Sequence, residues 1–525
     1  MYTSIDSNSP QRSKNRQLAI NMLSSFVAFA VNLCINFFLS PFVIKKLGIE
    51  AIGFLRLSSD IIGYTSIITI ALNSMAGRFI SINYQQGKIE EANKYFSSVF
   101  FSNVVLSIAV TLFLLIFLFN LETFFEIPTH LVLDVKLLFS FSILTTIVGL
   151  LANVYGVATF IKNRLDLSSI RQIIGNILRA FLIVLLFGCL PAKLWYYGVT
   201  GVVMTVYVCY TNYRFCQYLT PEFYLSYKNY DWKKVIELVK SGIWNVINKL
   251  GSIMGQGFDM IIANVCIGAT AMGVFSVSKT IPVILLSMFG MISGVFAPLF
   301  TQFWAQNRKE ELQSEFLKSV RICGFFANIP LTILLVFGDS FYRLWLPGED
   351  AKLLQILTII GSFNYIFSMP LEPLWNIFTI TNKLKYSTLM MVSLNVLIFT
   401  TLIIAMQFID SAYYRLLVLA GTSVFWNNFK NIFFLPLYGA YCMGFNRYLF
   451  YKPLLKSILS FVISCVFCLP LRWIVDISGW LELFFLTVVS IVICVVTNIS
   501  IILKKTDREF IKHKLIRREN NRISK

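Results

Sequence analysis

The chain has 525 residues, 57% of them hydrophobic and only 14% charged, and a mean hydropathy of +0.72. Soluble domains run at roughly 25% charged residues in units of about 100 to 200 residues, so the composition excludes a water-soluble fold and leaves a polytopic membrane protein. Lys and Arg number 45 against 26 Asp and Glu, giving a net charge of +19; in a soluble chain that excess would suggest a nucleic-acid partner, and here its position along the chain decides its meaning.

A hydrocarbon core of about 30 Å needs roughly 20 apolar helical residues. Fourteen stretches meet that length, near 18–44, 51–80, 95–119, 134–160, 170–189, 195–217, 235–266, 270–303, 314–337, 352–380, 386–408, 412–441, 453–474 and 480–503. Several exceed a perpendicular span, so tilt or kinks must absorb the excess; Pro41, Pro282, Pro330 and Pro436 are bend candidates. Basic residues crowd alternate connections: Arg12, Lys14 and Arg16, then Lys88 and Lys94, Lys162 and Arg164, Lys228, Lys233 and Lys234, and finally Lys504 to Lys525, which holds nine. Cytoplasmic loops retain Lys and Arg, so both termini are expected in the cytoplasm. The basic tail is expected against anionic membrane lipids rather than nucleic acid. Most of the ten cysteines lie in apolar runs as small hydrophobes. The pair Cys465 and Cys468 has neither a second pair nor a nearby histidine, so no metal or redox centre is expected. The first apolar stretch is too long for a cleavable signal peptide.

The sequence repeats at an offset of 220 residues: Gly48, Ala51 and Gly53 (LGIEAIG) fall on Gly268, Ala271 and Gly273 (IGATAMG), and Gln86, Lys88, Glu90, Glu91 and Phe96 fall on Gln306, Arg308, Glu310, Glu311 and Phe316. After a slip of one residue, Pro128 matches Pro347, and Asn163, Arg164 and Leu165 match Asn382, Lys383 and Leu384. The repeat contains six spans, an even number, so both halves enter the membrane in the same sense and form a parallel repeat. The expected order is a cytoplasmic segment 1–17, a six-helix bundle 18–219, a second six-helix bundle 220–446, two additional helices 447–503 and the basic tail 504–525. Paired rigid bundles suit alternating access.

The segment SPFVIKKLGIEAIGFLRLSSDIIGY, followed by QQGKIEEANKYFSSV, resembles the start of bacterial polysaccharide transporters, the O-antigen-flippase-like proteins of the multidrug, oligosaccharidyl-lipid and polysaccharide exporter superfamily, and the likeness runs to about residue 445. The resemblance implies an all-α fold of V-shaped paired bundles. It also implies transport of an undecaprenyl-diphosphate-linked oligosaccharide repeat unit from the cytoplasmic to the outer leaflet of the bacterial cytoplasmic membrane, for O-antigen, capsule or exopolysaccharide synthesis, alongside polysaccharide assembly proteins. Many members have twelve spans; the lipid II flippase branch has fourteen, as expected here.

An ionisable side chain at the bilayer centre costs about 2.5–3.5 kcal/mol on insertion scales, so one that persists faces a bundle interior or a water cavity. The candidates are the bases Arg56, Arg179, Lys249, Lys279 and Lys430 and the acids Asp60, Asp259 and Glu372. The excess of positive charge suits a lipid diphosphate, since charge-assisted bonds to phosphate oxygens are strong. Arg56, Ser59, Asp60, Gly63, Ser66, Ser74, Gly77 and Arg78 recur at helical spacing along one face. The repeat places Lys279 at the position of Ser59, so equivalent faces are expected to confront each other, one bringing Arg56 and the other Lys279. Arg56 and Asp60, spaced i, i+4, are also placed to neutralise each other, and Arg179 and Lys430 are long enough to reach an interface. Asn21, Ser25, Asn32 and Asn36 make a polar stripe on the first helix, and Asn245, Asn248, Lys249, Ser252, Gln256 and Asp259 make its counterpart; such asparagines act either as cavity lining or as interhelical glue.

Glu372 lies in MPLEP between Pro370 and Pro373, where proline leaves backbone groups free. With Asp259 and Asp60 it is a candidate to carry H+ or Na+ as coupling ion; no other cofactor is expected. P-loop and Rossmann phosphate motifs are missing from the sequence, which argues against ATP hydrolysis. A drug or cation antiporter of the same superfamily predicts a more acidic pocket, and a glycan polymerase predicts a large outside loop with catalytic residues. Neither matches, so a transporter rather than an enzyme is expected.

Overall fold

The computed structural model describes residues 10–503 apart from Gly257, Val295 and Asn382, and within its helices it leaves aside the side chains of 10–16, 18, 19, 22, 244, 248, 252–256, 298, 305, 384 and 474. Every regular element among the described residues is helical. Among the described residues ten helices are long and apolar enough to cross a membrane, or eleven if the pair Ala351–Ser362 and Tyr365–Ile380, bent by 43°, is one span. Three of the fourteen expected stretches do not meet that test. The stretches 195–217, 235–266 and 412–441 are helical, but Tyr, Thr and Asn in the first, Glu237, Lys240, Lys249 and Asp259 in the second, and Arg415 with Asn427, Asn428 and Lys430 in the third dilute their apolarity. The basic tail 504–525 lies outside the described residues. At the other end, Pro10 already begins the first helix, so the segment expected before it is in part a continuation of that helix.

By contacts the chain forms two compact units, Met1–Gly273 and Val274–Lys525. The first contains α1 (Pro10–Leu47), α2 (Ile49–Gln85), α3 (Ile89–Phe119), α4 (Leu121–Phe124), α5 (Val132–Ala152), α6 (Val157–Ile161), α7 (Leu165–Cys189), α8 (Trp195–Leu219), α9 (Trp232–Gln256), α10 (Phe258–Cys266) and the start of α11 (Ala269–Ser278). Its main pairings are α2 with α9 and α3, α5 with α8, and α1 with α7. One face of α2, running Phe54, Leu57, Ile61, Thr65, Thr69, Leu72, Ala76 and Ile80, is buried. Its lower half joins Ala92, Phe96 and Val99 of α3, Ala158 of α6 and Leu238 of α9 in one apolar core. Although the repeat assigns α9 to the second half, α9 packs here: Lys234 pairs with Glu91 at 2.9 Å and Tyr95 Oη donates to Glu237 at 2.6 Å. The hydrogen bond to Glu91 holds the Lys234 ammonium above its ordinary pKa.

The second unit continues with α12 (Thr280–Gly294), α13 (Ala297–Ala305), α14 (Lys309–Trp345), α15 (Ala351–Ser362), α16 (Tyr365–Leu371), α17 (Trp375–Ile380), α18 (Leu384–Gln407), α19 (Ala412–Phe429), α20 (Leu435–Met443), α21 (Tyr451–Cys468), α22 (Leu471–Ile474) and α23 (Trp480–Ile501). At its centre is α14, against which α15, α16, α21 and α23 all pack. The two additional helices dock on α14 through a buried polar knot. Asn328 Nδ2 donates to Asn498 Oδ1 (3.0 Å) and to the Ser457 carbonyl (3.0 Å), Ser460 Oγ donates to Asn498 Oδ1 (2.7 Å), and Asn498 Nδ2 donates to the Phe325 carbonyl (2.8 Å). Near one end, Arg472 pairs with Asp339 and Arg343 donates to the Ile477 carbonyl. At the repeat-equivalent positions of α3 the chain has Val105, Ile108 and Leu112, all more than half exposed, as befits a lipid-facing helix. Two of these three exposed apolar positions are thus taken in the second half by the buried polar residues Asn328 and Thr332.

The internal repeat extends to individual hydrogen bonds. The turn after α2 is closed by Lys88 N to Asn83 O (2.9 Å) and turns through Gly87 at φ 75°; its counterpart is closed by Arg308 N to Phe303 O (3.0 Å) and turns through Asn307 at φ 56°. Left-handed backbone favours Gly and tolerates Asn. Likewise Arg164 N bonds to Thr159 O (2.8 Å) and Lys383 N to Phe378 O (2.9 Å). The first repeat glycines also touch. A Cβ on Gly53 would lie 3.0 Å from Gly273 N, and one on Gly273 would lie 2.5 Å from the Ile49 carbonyl oxygen. Thr270 Oγ1 donates to Glu50 Oε1 (2.9 Å), again a pair related by the offset of 220 residues.

Candidate functional site

In the first unit the polar face of α2 is turned away from its packed face, as its period requires. Arg56 Nε lies 3.4 Å from Asp60 Oδ1, with the side chains 29% and 19% exposed, so the i, i+4 neutralisation open in the sequence is present. One turn on, Tyr64 has a buried hydroxyl without a hydrogen-bond partner among the described residues. It feels the charges of both Asp60 and Asp259, and its ring lies 6.1 Å from that of Phe258. Asp259 itself is buried, on α10. The structure therefore brings Arg56, Asp60 and Asp259 together around Tyr64. Tyr64 was not among the expected residues, although its spacing of four from Asp60 was a visible signal.

Arg179 of α7 stacks its guanidinium 4.3 Å from the centre of the Tyr197 ring on α8, while its Nε is buried without a hydrogen-bond partner among the described residues. Cation–π contact of this kind holds a cation without cancelling its charge. Lys249 on α9 is half-buried. The polar stripes separate by role. On α1, Asn21 accepts from Asp166 N (3.1 Å) and donates to the Asn163 carbonyl (2.9 Å), and Ser25 meets Ser169 (3.2 Å), so this end is glue to α7. Asn32 and Asn36 bond to each other (2.6 Å) and are exposed. Asn245 donates to Ser74 Oγ on α2 (2.9 Å). The side chains of Asn248 and Gln256 lie outside the described residues.

In the second unit Lys279 sits between α11 and α12 with its ammonium 4.8 Å from the centre of the Phe275 ring. Glu372 opens a 3₁₀ turn, Glu372–Leu374, between α16 and α17, and Lys430 opens a π-helical turn, Lys430–Phe434, between α19 and α20. These two residues, 58 apart in sequence and expected to serve ion and substrate separately, come within electrostatic reach of each other. Lys430 Nζ donates to Asn427 Oδ1 (2.9 Å) and lies 5.6 Å from the centre of the Trp375 ring. Trp375 and Asn427 escaped the sequence reading because nothing along the chain links them to Lys430 or Glu372 beyond spacings of three. A separate open cavity of about 430 Å³ is lined by Thr401 of α18 and by Leu417, Gly421, Phe425 and Trp426 of α19. Its lining carries no charge and includes none of the expected cations.

Long apolar helices, in two halves related by an internal sequence repeat, define a multi-pass membrane protein. The fold is similar to that of the lipid II flippase MurJ in an inward closed conformation, with a TM-score of 0.60 over 91% of this chain and 98% of MurJ at 11% identity. It is also similar to a mutant of the MATE transporter VcmN of Vibrio cholerae, with a TM-score of 0.57 over 82% of this chain and 97% of that chain at 11% identity. In sequence it is 27% identical over 467 residues to the uncharacterized membrane protein EpsK of Bacillus subtilis strain 168, covering 88% of this chain and 91% of EpsK. Residues 18–304, more than half the chain, match the polysaccharide biosynthesis protein family, and the chain belongs to that family.

Proposed function

We propose that the protein is a flippase that moves an undecaprenyl-diphosphate-linked oligosaccharide from the cytoplasmic to the outer leaflet of the bacterial cytoplasmic membrane, with both termini cytoplasmic. An H+ or Na+ gradient drives the cycle by alternating access. The reading is supported chiefly by the polar face of α2, a helix long and apolar enough to span a membrane, which keeps Arg56 partly exposed opposite the packed face. A guanidinium kept there at such cost suits an anionic ligand. Arg179, Lys249, Lys279 and Lys430 add further cations within the expected spans, and membership of a polysaccharide biosynthesis family fits a glycan cargo.

The test is leaflet accessibility of a fluorescent diphospholipid-linked sugar in proteoliposomes. The wild type is expected to move the lipid. Arg56→Ala plus Lys279→Ala is expected to slow it by about tenfold or more, since a charge-assisted hydrogen bond contributes about 1.5–3 kcal/mol. Equal rates would remove the cationic role of the two residues; no movement of such a lipid by either version would remove the substrate class. For coupling, Glu372→Gln is expected to lose stimulation by an imposed H+ or Na+ gradient while keeping slow downhill exchange. A Glu372→Gln protein with the full gradient-driven rate would exclude Glu372 as the coupling group.

A further inference from the structure

Both halves of the chain interrupt the same helix at the same place. The first half does so at the 3₁₀ turn Asn153–Gly156 and the second at Glu372–Leu374, 219 residues later. In the first half the interruption is closed by amides: Asn73 and Asn103 exchange reciprocal hydrogen bonds of 2.9 and 3.0 Å, and Asn103 Nδ2 also donates to the Leu150 carbonyl at 3.2 Å. The repeat places Ser293 and Cys323 at the positions of these two asparagines, and Glu372 at the position of Asn153. The second half has thus replaced a self-satisfied amide pair by two short side chains and a carboxylate.

The titratable groups within electrostatic reach of that carboxylate come from three elements. Cys323 is on α14, Tyr365 is on α16, and Lys430 opens the π-helical turn before α20. Of these only Lys430 carries positive charge. Its geometry is that of an unlocked cation: its ammonium donates to Asn427, lies over the Trp375 ring, and makes no direct hydrogen bond to Glu372 among the described residues. An interior cation held by a neutral amide and a ring face is available to exchange partners. π-helical turns of this kind recur at functional sites.

From this juxtaposition we infer that Glu372 and Lys430 form one exchange element, in which Lys430 leaves the field of Glu372 to bind a phosphate oxygen of the ligand when a proton or a sodium ion neutralises the carboxylate. With Glu372 ionised, the pair is neutral and the carboxylate repels an incoming diphosphate. Neutralising it removes that repulsion and leaves the ammonium uncompensated, so ion and anion bind with positive coupling. Lys430 is then a ligand whose affinity is set by Glu372. The inference rests on the diphosphate reading above and supplies the link between its ion and its cargo.

The experiment measures binding of inorganic pyrophosphate to the purified full-length protein in detergent, by calorimetry at pH 6 and pH 8, with sodium or choline as the cation. Wild-type affinity is expected to rise on acidification or with sodium. Glu372→Gln is expected to bind about fivefold or more tightly at pH 8, with the dependence on pH and sodium abolished. Lys430→Gln, and Lys430→Gln combined with Glu372→Gln, are both expected to bind more weakly than Glu372→Gln alone, and Lys430→Arg to keep the dependence. Wild-type binding that Glu372→Gln leaves unchanged, or that responds to neither pH nor sodium, would overturn the exchange element while leaving the flippase reading standing. A wild type that binds no pyrophosphate would overturn both. Thermal unfolding of each variant identifies any loss that is one of folding, and Lys430→Arg, which keeps the charge, then decides.

Discussion

Replacing Gly242 by alanine is expected to unseat α9 from α2 and to lower Tm by several degrees. A Cβ built at Gly242 lies 1.9 Å from the Ala71 carbonyl oxygen and 2.8 Å from its carbonyl carbon. Both are backbone atoms, so no side-chain rotation relieves the overlap and the helices must separate. Overpacking of this kind costs about 1–3 kcal/mol and at times more. Separation would also loosen Leu238 of α9, which is fully buried in the core shared with Ile80 and Phe96. Thermal unfolding in detergent, followed by intrinsic fluorescence, checks the effect. Gly290→Ala is the control, because a Cβ there meets nothing within 4 Å; equal melting of the two variants would show that the α2–α9 contact does not limit stability.

Asn498→Leu is expected to release α21 and α23 from α14. The amide of Asn498 is the partner shared by Asn328, Ser460 and the Phe325 carbonyl. Leucine has a similar volume and offers none of these bonds. Interhelical hydrogen bonds in membranes contribute about 0.6–2 kcal/mol each, so losing three costs about 2–6 kcal/mol, with the remaining groups left buried and unpaired. Cys494 and Cys468 are both fully buried beside this contact. Their reaction with a membrane-permeant maleimide is expected to speed up by about tenfold or more, since 1.4 kcal/mol is a factor of ten in an opening equilibrium. Thiols as protected as in the wild type would show that the apolar packing of α21 and α23 suffices without the knot.

The repeat was legible because its markers are local. Gly87 and Asn307 take the same left-handed turn, and the capping bonds around them coincide, so short-range sequence carries the information. The span count was less legible. Hydropathy registers the lysines and acids of α9 but not that Asn245 and Glu237 find partners on neighbouring helices. Of the candidate site, the Arg56–Asp60 pair followed from helical spacing alone. Glu372 and Lys430 did not, since only the packing of α16, α17 and the π-helical turn brings them together. The proline-flanked MPLEP also misdirects: the first half makes the same interruption at Asn153–Gly156 without any proline, so the break belongs to the architecture and the prolines merely fit it.

The matched interruptions bear on how a duplicated protein comes to work asymmetrically. Whatever both copies retain, such as the left-handed turns, the touching glycines and the broken helix, is what the architecture requires of any sequence that adopts it. What differs between the copies is released from that requirement. In one copy the weak point is closed with asparagines and the outer face is left greasy; in the other the same weak point carries a carboxylate beside a lysine, and the outer face is clad by two further helices. One half thereby serves as frame and the other as instrument, and mutations at the two interruptions should have unlike consequences: at Asn73 or Asn103 they act on folding, and at Glu372 on the ion response.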